Sequence, residues 1–380
     1  MALASDTPVR PRPSFNLRTR FMRLISRPGF QRWASAFALT RGMAAKDGAE
    51  LFDIVQGFVK SQVLFALVEL RVLHRLMEGP QTVETLAVVS DVSVDRMDRL
   101  LRAATAMKLT RLDRKGRYSL ARKGAALIGV PGLEDMIRHH AAFYRDLSDP
   151  VALLRDEVDT ELAAFWPYVF GADQAEDVET SNRYSDLMAR SQEMVAADTL
   201  SAVNLRDTTH LLDVGGGYGV FAEAAALKHP DLHATVFDLP AVQAQARERM
   251  GVSKASDRLD FVPGSFRDDP LPDGADMISL IRVLYDHEDN TVTDLLRQVF
   301  DVLPEGGRLV ISEPMSGGNR PEIAGDVYFS FYCLAMKTGT VRGPARIKDL
   351  CQAAGFVKIA DFPSRRPFVT TALTAVKPKK

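Results

Sequence analysis

A glycine-rich turn between residues 213 and 219 carries the residue types best suited to binding a ligand. It follows a short apolar run, 210–214, that is typical of a buried strand in a parallel sheet. After the turn, apolar residues recur at helical spacing from 221 to 227, which predicts a helix. Ligands bind at the carboxyl ends of such strands. Glycines let the backbone approach a ligand closely, and open amides at a helix start donate hydrogen bonds to anions.

The spacing of the glycines distinguishes between two classes of ligand. A dinucleotide-binding turn reads Gly-x-Gly-x-x-Gly, which from Gly215 would need a glycine where Val220 stands. The pattern present, Asp-x-Gly-x-Gly-x-Gly from 213 to 219, resembles the first motif of S-adenosylmethionine-dependent methyltransferases. A second acid, Asp238, ends the next apolar run, where a carboxylate accepts from both ribose hydroxyls in related sheets. The sequence therefore favours S-adenosyl-L-methionine as the cofactor.

Further motifs extend this resemblance over nearly the whole chain. They are a winged-helix-like N-terminal half and the segments 237–240 (Phe-Asp-Leu-Pro), 264–266 (Gly-Ser-Phe), 282–284 (Arg-Val-Leu), 304–307 (Pro-Glu-Gly-Gly) and 353–356 (Ala-Ala-Gly-Phe). Together they resemble the dimeric O-methyltransferases of small molecules. Within that family, segments 52–59, 165–171 and 263–270 resemble the members that methylate a tertiary hydroxyl at the end of a long acyclic carotenoid. The resemblance implies a lipophilic substrate and a homodimer.

The resemblance also implies which residues bind the cofactor. They are Asp213, Gly215, Gly217, Asp238, Ser265, Phe266 and Arg282. Among them, Gly215 would approach the methionine part, Asp238 would bind the ribose, and Phe266 would flank the adenine. Ser265 stands where many relatives have an acid, so it would accept a hydrogen bond from the adenine amino group without charge assistance. Arg282 matches a basic position beside the cofactor.

The expected proton acceptor departs from the family pattern. Plant-type relatives read His-Asp-Trp after the fourth strand, and that histidine removes a phenolic proton; here the segment reads Tyr285-Asp286-His287. Glu313 matches one of the two glutamates that flank the base, whereas Val341 takes the place of the other. An alkyl alcohol is far less acidic than a phenol, whose pKa is about 10. We therefore expect attack by the neutral or partly deprotonated alcohol oxygen, with the proton leaving late, to His287 or through Tyr285. Glu313 is the third residue expected to have a catalytic role.

A lipophilic substrate needs an apolar pocket, and the helical segments supply candidate lining residues, each of which also fits an ordinary core position. They are His139, His140, Phe143, Tyr144, Phe165, Met188, Tyr328, Phe331, Tyr332 and Met336. Two other functions stay open: methylation of an aromatic or polyketide hydroxyl, and a winged-helix regulator that senses S-adenosylmethionine. The helix predicted at 94–107 carries two aspartates beside three arginines, which disfavours a nucleic-acid partner.

Composition predicts a soluble cytoplasmic protein. The chain has 380 residues, enough for two cored domains. Its two cysteines, Cys333 and Cys351, are too few for a disulfide framework and lack metal-ligand spacing, so we expect no metal. We find no apolar run of the roughly 18 residues that a spanning helix needs, and no apolar block of a signal peptide.

A basic N-terminal arm over residues 1–48 sets this region apart from the rest of the chain. Residues 1–46 contain eight arginines and one lysine against one aspartate, a net charge of +8, with apolar residues interleaved. Such an arm suits the surface of an anionic bilayer, which would make the protein peripheral to a membrane. A solvated tail, or an arm packed on a partner subunit, fits the same pattern. Pro11, Pro13 and Pro28 exclude one long helix.

The remaining chain divides into three predicted regions: a winged-helix-like dimerisation domain over 49–130, a helical linker and pocket region over 131–204, and an S-adenosylmethionine-binding domain over 205–380. The last is predicted to be a Rossmann-like, doubly wound α/β sheet of class I methyltransferase type. We predict its strands at 210–214, 234–238, 259–263, 277–280, 308–312, 356–361 and 368–376, the last two antiparallel. We also predict one helix over 51–77, buried between subunits.

Overall fold

The N-terminal part of the molecule is helical, in a computed structural model that describes residues 16–165 and 191–379. Its elements are α1 (Leu17–Ile25), α2 (Pro28–Ala36), α3 (Arg41–Val55), α4 (Gly57–Glu69), α5 (Val72–Met77), α6 (Val83–Val89), α7 (Val94–Ala106), β1 (Thr110–Leu112), β2 (Tyr118–Leu120), α8 (Arg122–Ile128), α9 (Leu133–Asp146), α10 (Pro150–Leu154), α11 (Glu161–Phe165) and α12 (191–202). Helix α3 runs across the boundary predicted at residue 48.

The single helix predicted over 51–77 is wrong, because this stretch contains the end of α3 and the whole of α4 and α5. Helices α3 and α4 meet at Gln56 with a bend of 49°, and the glycine that follows, Gly57, weakens helix continuation. Helix α4 ends at Glu69, and Arg71 takes a left-handed conformation with φ of 51° before α5 begins. Apolar periodicity runs through both breaks, so spacing alone could not locate them.

The winged-helix pattern is present between residues 83 and 120. Helix α7 buries Met97, Leu101 and Ala104 on one face, at the spacing expected of an amphipathic helix. Strands β1 and β2 pair antiparallel behind it, and Gly116 in the connecting turn takes the positive φ of 73° that the turn requires. These elements share one core with α4, α5, α8 and α9.

The C-terminal part is a seven-stranded sheet with helices on both faces. Its elements are β3 (His210–Val214), α13 (Val220–Lys228), β4 (His233–Asp238), α14 (Gln243–Gly251), β5 (Leu259–Pro263), β6 (Met277–Ile281), a 3₁₀ turn (Leu284–Asp286), α15 (Asp289–Val302), β7 (Arg308–Glu313), a π-helix (Ile323–Phe329), α16 (Ser330–Ala335), α17 (Pro344–Ala353), β8 (Val357–Pro363) and β9 (Thr371–Val376).

The strand order is β5-β4-β3-β6-β7-β9-β8. The first five strands in this order are parallel, and β9 pairs antiparallel with both β7 and β8. All seven predicted strands are confirmed, as is the antiparallel pairing of the last two. The order reverses between β3 and β6, so the carboxyl ends of β3, β4 and β6 form the crevice where such sheets bind ligands.

Two apolar cores cover the faces of this sheet, and a third cluster joins α16 to the helical part. In that third cluster, Phe143 of α9 and Leu162 of α11 pack with Tyr332 and Met336 around α16. The pocket region is therefore built by elements that are far apart in the chain.

Within the described residues we find no single helix with the length and apolar character needed to cross a bilayer; α3 and α4 meet that test only as a bent pair.

Candidate active site

The glycine turn joins β3 to α13 as predicted from the sequence. Gly215, Gly217 and Gly219 all have positive φ, of 68°, 55° and 76°. A Cβ atom at Gly215 would lie 2.8 Å from Cγ2 of Val283, so glycine is required where the turn passes the end of β6. A Cβ atom at Gly217, by contrast, would have no heavy atom of the described residues within 4 Å. The turn thus presents exposed backbone to the crevice.

Asp238 lies at the carboxyl end of β4 and faces this turn. Its Oδ2 accepts from the amide of Gly217 at 2.6 Å, and its Oδ1 accepts from the amide of Leu239 at 2.6 Å. Burial raises the pKa of Asp238, and the two amide donors oppose that rise. Each carboxylate oxygen has a second lone pair, so the carboxylate can also accept from ligand hydroxyls.

Asp213 lies beneath the turn. Its side chain is buried, and its Oδ1 accepts from the hydroxyl of Ser279 on β6 at 2.6 Å. A Cβ at Gly216 would touch its carboxylate. Burial raises the pKa of Asp213 to about 7, and the negative charge of Asp238 adds to the rise. Through these contacts Asp213 supports the turn. A contact between Asp213 and the cofactor stays a prediction.

Ser265 and Phe266 follow β5 on the far side of Asp238. The Ser265 hydroxyl donates to Asp268 Oδ2 at 3.0 Å, and the Ser265 amide donates to Asp269 Oδ2 at 2.9 Å. Two carboxylates therefore lie beside the position where many relatives have an acid. The ring of Phe266 meets the ring of His287 edge-on, with centroids 5.2 Å apart. This contact brings the loops after β5 and β6 together.

Arg282 occupies a strained position directly after β6. Its φ is 58°, unusual for a residue with a side chain. Its Nη1 donates to Ser191 Oγ at 3.0 Å and its Nη2 donates to Tyr285 Oη at 3.1 Å. The guanidinium carbon is also 5.7 Å from the centre of the Tyr285 ring. The left-handed turn thus aims Arg282 at Tyr285 and the helix α12.

Tyr285 is fully buried, and burial raises the pKa of its hydroxyl far above the usual value, so it is protonated at neutral pH. Glu313, at the end of β7, accepts from the amide of Tyr285 at 3.2 Å. Burial raises the pKa of Glu313 to about 8. Glu313 therefore contacts the backbone of the segment whose side chains we predict to be catalytic.

His287 is buried, with its Nδ1 3.1 Å from Nη2 of Arg267. A guanidinium only donates, so Nδ1 is the acceptor and the ring proton sits on Nε2. Burial, with the positive charges of Arg267 and Arg342, lowers the pKa of His287 to about 3. The ring is neutral at physiological pH. Its predicted part in proton transfer is untested.

Two further residues of this site were not identified from the sequence. Arg342 is buried and donates to the carbonyl oxygens of Leu284 and His287, each at 2.8 Å, which holds the segment after β6 in place. No local pattern marks it, because its partners lie more than 50 residues away. Asp286 is a buried carboxylate next to Tyr285. The sequence places Asp286 in a polar segment, so its burial could not be predicted.

The predicted pocket residues form one aromatic cluster between α9 and the helices at 323–335. His139 Nε2 is 2.8 Å from Tyr332 Oη, and His140 Nε2 is 2.6 Å from Tyr328 Oη. Burial lowers the pKa of each histidine to about 4, so both pairs are neutral. Phe143, Tyr144, Phe331 and Met336 belong to the same region. The predicted lining contributions of Phe165 and Met188, and the aromatic segment 166–170, lie outside the described side chains.

The crevice fits S-adenosylmethionine. The ribose would meet the carboxylate of Asp238, whose second lone pairs can accept from its hydroxyls, and the open space at Gly217 admits a ligand close to the backbone. Phe266 offers an apolar face beside Asp238 for an adenine.

Comparison with known proteins identifies the family. Residues 144–357 match an O-methyltransferase domain, and residues 52–129 match an O-methyltransferase dimerisation domain. The chain is 50% identical over 357 residues to the demethylspheroidene O-methyltransferase of Cereibacter sphaeroides, covering 94% of each chain. It is 50% identical over 337 residues to the demethylspheroidene O-methyltransferase of Rhodobacter capsulatus, covering 89% of this chain and 84% of the relative.

The fold is also found in solved structures. A crystal structure of human N-acetylserotonin methyltransferase in complex with S-adenosylmethionine matches with a TM-score of 0.75 and 24% identity, covering 88% of this chain and 98% of that one. The dimerisation match coincides with exposed apolar residues of α3 and α4, among them Phe52 and Phe58, which a partner subunit would cover. The chain belongs to the O-methyltransferase family and is an S-adenosylmethionine-dependent enzyme with an N-terminal dimerisation domain.

Proposed function

We propose that this enzyme methylates the tertiary hydroxyl of an acyclic carotenoid, of the demethylspheroidene or hydroxyneurosporene type, giving the methoxy group of a spheroidene-type pathway. The names of the two relatives with 50% identity support this substrate class. The observation in the molecule that carries the proposal is a row of aromatic rings that starts at the buried Tyr285 and reaches the dimerisation domain.

Neighbouring rings in this row are within contact distance of each other. Ring centroids are 6.3 Å apart for Tyr285 and Phe329, 4.9 Å for Phe329 and Tyr328, 5.5 Å for Tyr328 and His140, 5.9 Å for His140 and Tyr144, and 6.3 Å for Tyr144 and Phe65. A conjugated polyene is long, flat and apolar, so successive rings provide the contacts it needs. The polar atoms of His140 and Tyr328 bond to each other, which reduces the desolvation cost of an apolar ligand.

The reaction demands that water be excluded and that the hydroxyl be aligned. When bound, S-adenosylmethionine supplies a methyl group whose bond to sulfur breaks as the alcohol oxygen bonds to it. Asp238, the backbone of the glycine turn and Phe266 would hold the cofactor, and Tyr285 would meet the hydroxyl at the start of the aromatic row. Fixing two reactants at near-attack distance supplies effective molarities of roughly 10⁵ M or more. The chain's contribution is therefore mainly one of position and of a dry site.

Purified protein, labelled S-adenosylmethionine and a hydroxylated acyclic carotenoid in detergent test this function. We expect a labelled methoxy carotenoid, and we expect the Phe329→Ala variant to raise KM for the carotenoid while leaving cofactor binding in place. A simple phenol serves as the competing acceptor. Failure of the carotenoid to accept label, or preference for the phenol by kcat/KM, would refute the proposal.

We further propose that the basic arm places the enzyme on an anionic membrane surface on the cytoplasmic side, where such a substrate dissolves. Helices α1 and α2 expose Leu17, Phe21 and Trp33, and Trp33 stacks on Phe37 with centroids 5.0 Å apart. Six arginines between residues 18 and 41 are exposed beside them, and residues 7–46 contain no acid. This segment precedes the dimerisation match, which begins at residue 52.

Vesicle flotation tests the membrane contact. We expect binding to phosphatidylglycerol vesicles that weakens with salt and with the Phe21→Ser/Trp33→Ser double substitution. Val252→Ser, which changes a residue 85% exposed in the C-terminal part of the chain, is the matched control and should bind normally. Equal binding to neutral phosphatidylcholine vesicles, or none to either, would overturn this part of the proposal.

A further inference from the structure

A buried carboxylate next to the predicted catalytic tyrosine has no obvious structural purpose. Asp286 is 7% exposed, and among the described residues no donor reaches its Oδ1. Leaving a buried carboxylate oxygen without a donor is costly, so this atom needs an explanation. The backbone here is tightly fixed: Thr338 donates to the carbonyl of Asp286 at 2.9 Å, and a Cβ at Gly339 would overlap the carbonyl oxygen of Tyr285.

The Tyr285 hydroxyl lies between this carboxylate and Arg282. Nη2 of Arg282 donates to Tyr285 Oη at 3.1 Å. The Asp286 carboxylate is close enough to the Tyr285 side chain for the two groups to shift each other's pKa, and since a carboxylate can only accept, the phenol is the group that would donate. The phenol oxygen keeps one lone pair for a third partner. A hydroxyl with this pattern of partners can receive one proton while it gives up another.

His287 is not arranged for this task. Its Nδ1 accepts from Arg267, which leaves the Nε2 nitrogen as a donor. It also sits against Phe266, beside the predicted adenine site. A proton arriving at His287 would have to displace the bond from Arg267.

We propose that Asp286 is the final proton acceptor of the methyl transfer and that Tyr285 relays the proton to it. This inference rests on the proposed function. As the alcohol oxygen forms its bond to the methyl group, the bond from that methyl to sulfur breaks and its electron pair stays on sulfur. The methylated oxygen then gives its proton to Tyr285 Oη, and the proton of Tyr285 moves to the Asp286 carboxylate. No further reactant is needed, and Arg282 stabilises the tyrosine oxygen during the exchange.

The charges around Asp286 favour an acceptor that works near neutral pH. Burial raises its pKa to about 7, while the positive charge of Arg282 and the nearby Tyr285 side chain oppose the rise. Glu313 from β7 and Cys333 from α16 face the same region, and burial raises the pKa of each above that of Asp286. Arg342 is the second cation nearby. An acceptor must be ionised to take a proton, so the rate of the chemical step is expected to rise with pH through about 7.

Single-turnover methyl transfer across pH tests the relay with the full-length enzyme. We expect Asp286→Asn and Tyr285→Phe each to slow the chemical step roughly a hundredfold or more and to remove the inflection near pH 7. His287→Gln should keep that inflection, whatever its effect on the rate. Asp294→Asn, which changes an exposed carboxylate on α15, is the matched control and should behave as wild type.

Infrared difference spectroscopy gives a readout independent of turnover. Asp213 also titrates near pH 7, so one part of the protonated-carboxyl absorption there should disappear in Asp286→Asn, and all of it should persist in His287→Gln and Asp294→Asn. Calorimetry should find unchanged cofactor affinity in Asp286→Asn, which excludes misfolding as the cause of a slow rate. An Asp286→Asn enzyme with the wild-type rate and pH profile would overturn the relay. A wild-type enzyme that fails to methylate the carotenoid would instead overturn the proposed function.

Discussion

Arg342 gives the most demanding test of how the segment after β6 is held. Its side chain is 1% exposed, and it donates to the carbonyls of Leu284 and His287 and to Asp289 Oδ1 at 2.6 Å. Replacement by methionine keeps much of the volume but removes every donor. The carbonyl oxygens of Leu284 and His287 then lose a donor, and the carboxylate of Asp289 loses one of its cations. Asp289 is 46% exposed and keeps Arg346, so the loss falls mainly on the two carbonyl oxygens, at about 1 to 3 kcal/mol for each buried acceptor left unsatisfied.

Arg346 provides the matched control, because it pairs with the other oxygen of the same carboxylate. Its Nη2 donates to Asp289 Oδ2 at 2.6 Å, but its side chain is 52% exposed. Solvent-exposed ion pairs contribute little to stability. Urea unfolding should therefore show a large loss of free energy in Arg342→Met and nearly none in Arg346→Met. Activity should fall in Arg342→Met even under conditions where it is fully folded, because Tyr285 loses its fixed position. Equal effects of the two substitutions would refute this reasoning.

Three other predictions concern the cofactor crevice and its supports. Asp238→Asn should weaken binding of S-adenosylmethionine by roughly tenfold to a hundredfold in Kd, which calorimetry would measure. This loss corresponds to one charge-assisted hydrogen bond of about 1.5 to 3 kcal/mol. An unchanged Kd would contradict the assignment. Gly215→Ala should destabilise the fold by about 1 to 3 kcal/mol, since φ is positive and a Cβ would lie 2.8 Å from Val283. Gly251 has open space around it and no positive φ, so Gly251→Ala should not destabilise the fold. Thermal melting of both variants checks this. Below its pKa of about 8, Glu313 is mostly neutral, so Glu313→Gln should lose little activity at pH 7. Glu313→Ala should lose more, because it removes the oxygen that accepts from the Tyr285 amide. Comparable losses in the two variants would contradict a role in supporting the backbone.

The sheet and its crevice could be predicted because their signals are local. Each buried strand is a short apolar run bounded by turn residues, and the glycines of the turn are needed for the positive φ at Gly215 and Gly217. Asp238 could be placed because a strand end fixes where its side chain emerges. The contact between Asp238 and the amide of Gly217 joins two such local predictions.

The remaining features depend on contacts between distant parts of the chain. Arg342, between α16 and α17, donates to Leu284 and His287 more than 50 residues away, and no nearby residue indicates these contacts. The bond from Arg267 to His287, which fixes the imidazole proton, likewise joins the segments that follow β5 and β6. The break between α4 and α5 arises from the left-handed Arg71, although the apolar spacing continues through it. Spacing predicts which residues face inward but not where a helix turns.

The most direct test of the central claim is a crystal structure of the enzyme with S-adenosylhomocysteine and a hydroxylated acyclic carotenoid. We expect the nucleoside ribose on Asp238, the carotenoid hydroxyl within hydrogen-bonding distance of Tyr285 Oη, and the polyene along the rings from Phe329 to Phe65. A carotenoid whose hydroxyl lies away from Tyr285, or a nucleoside bound away from Asp238, would contradict it.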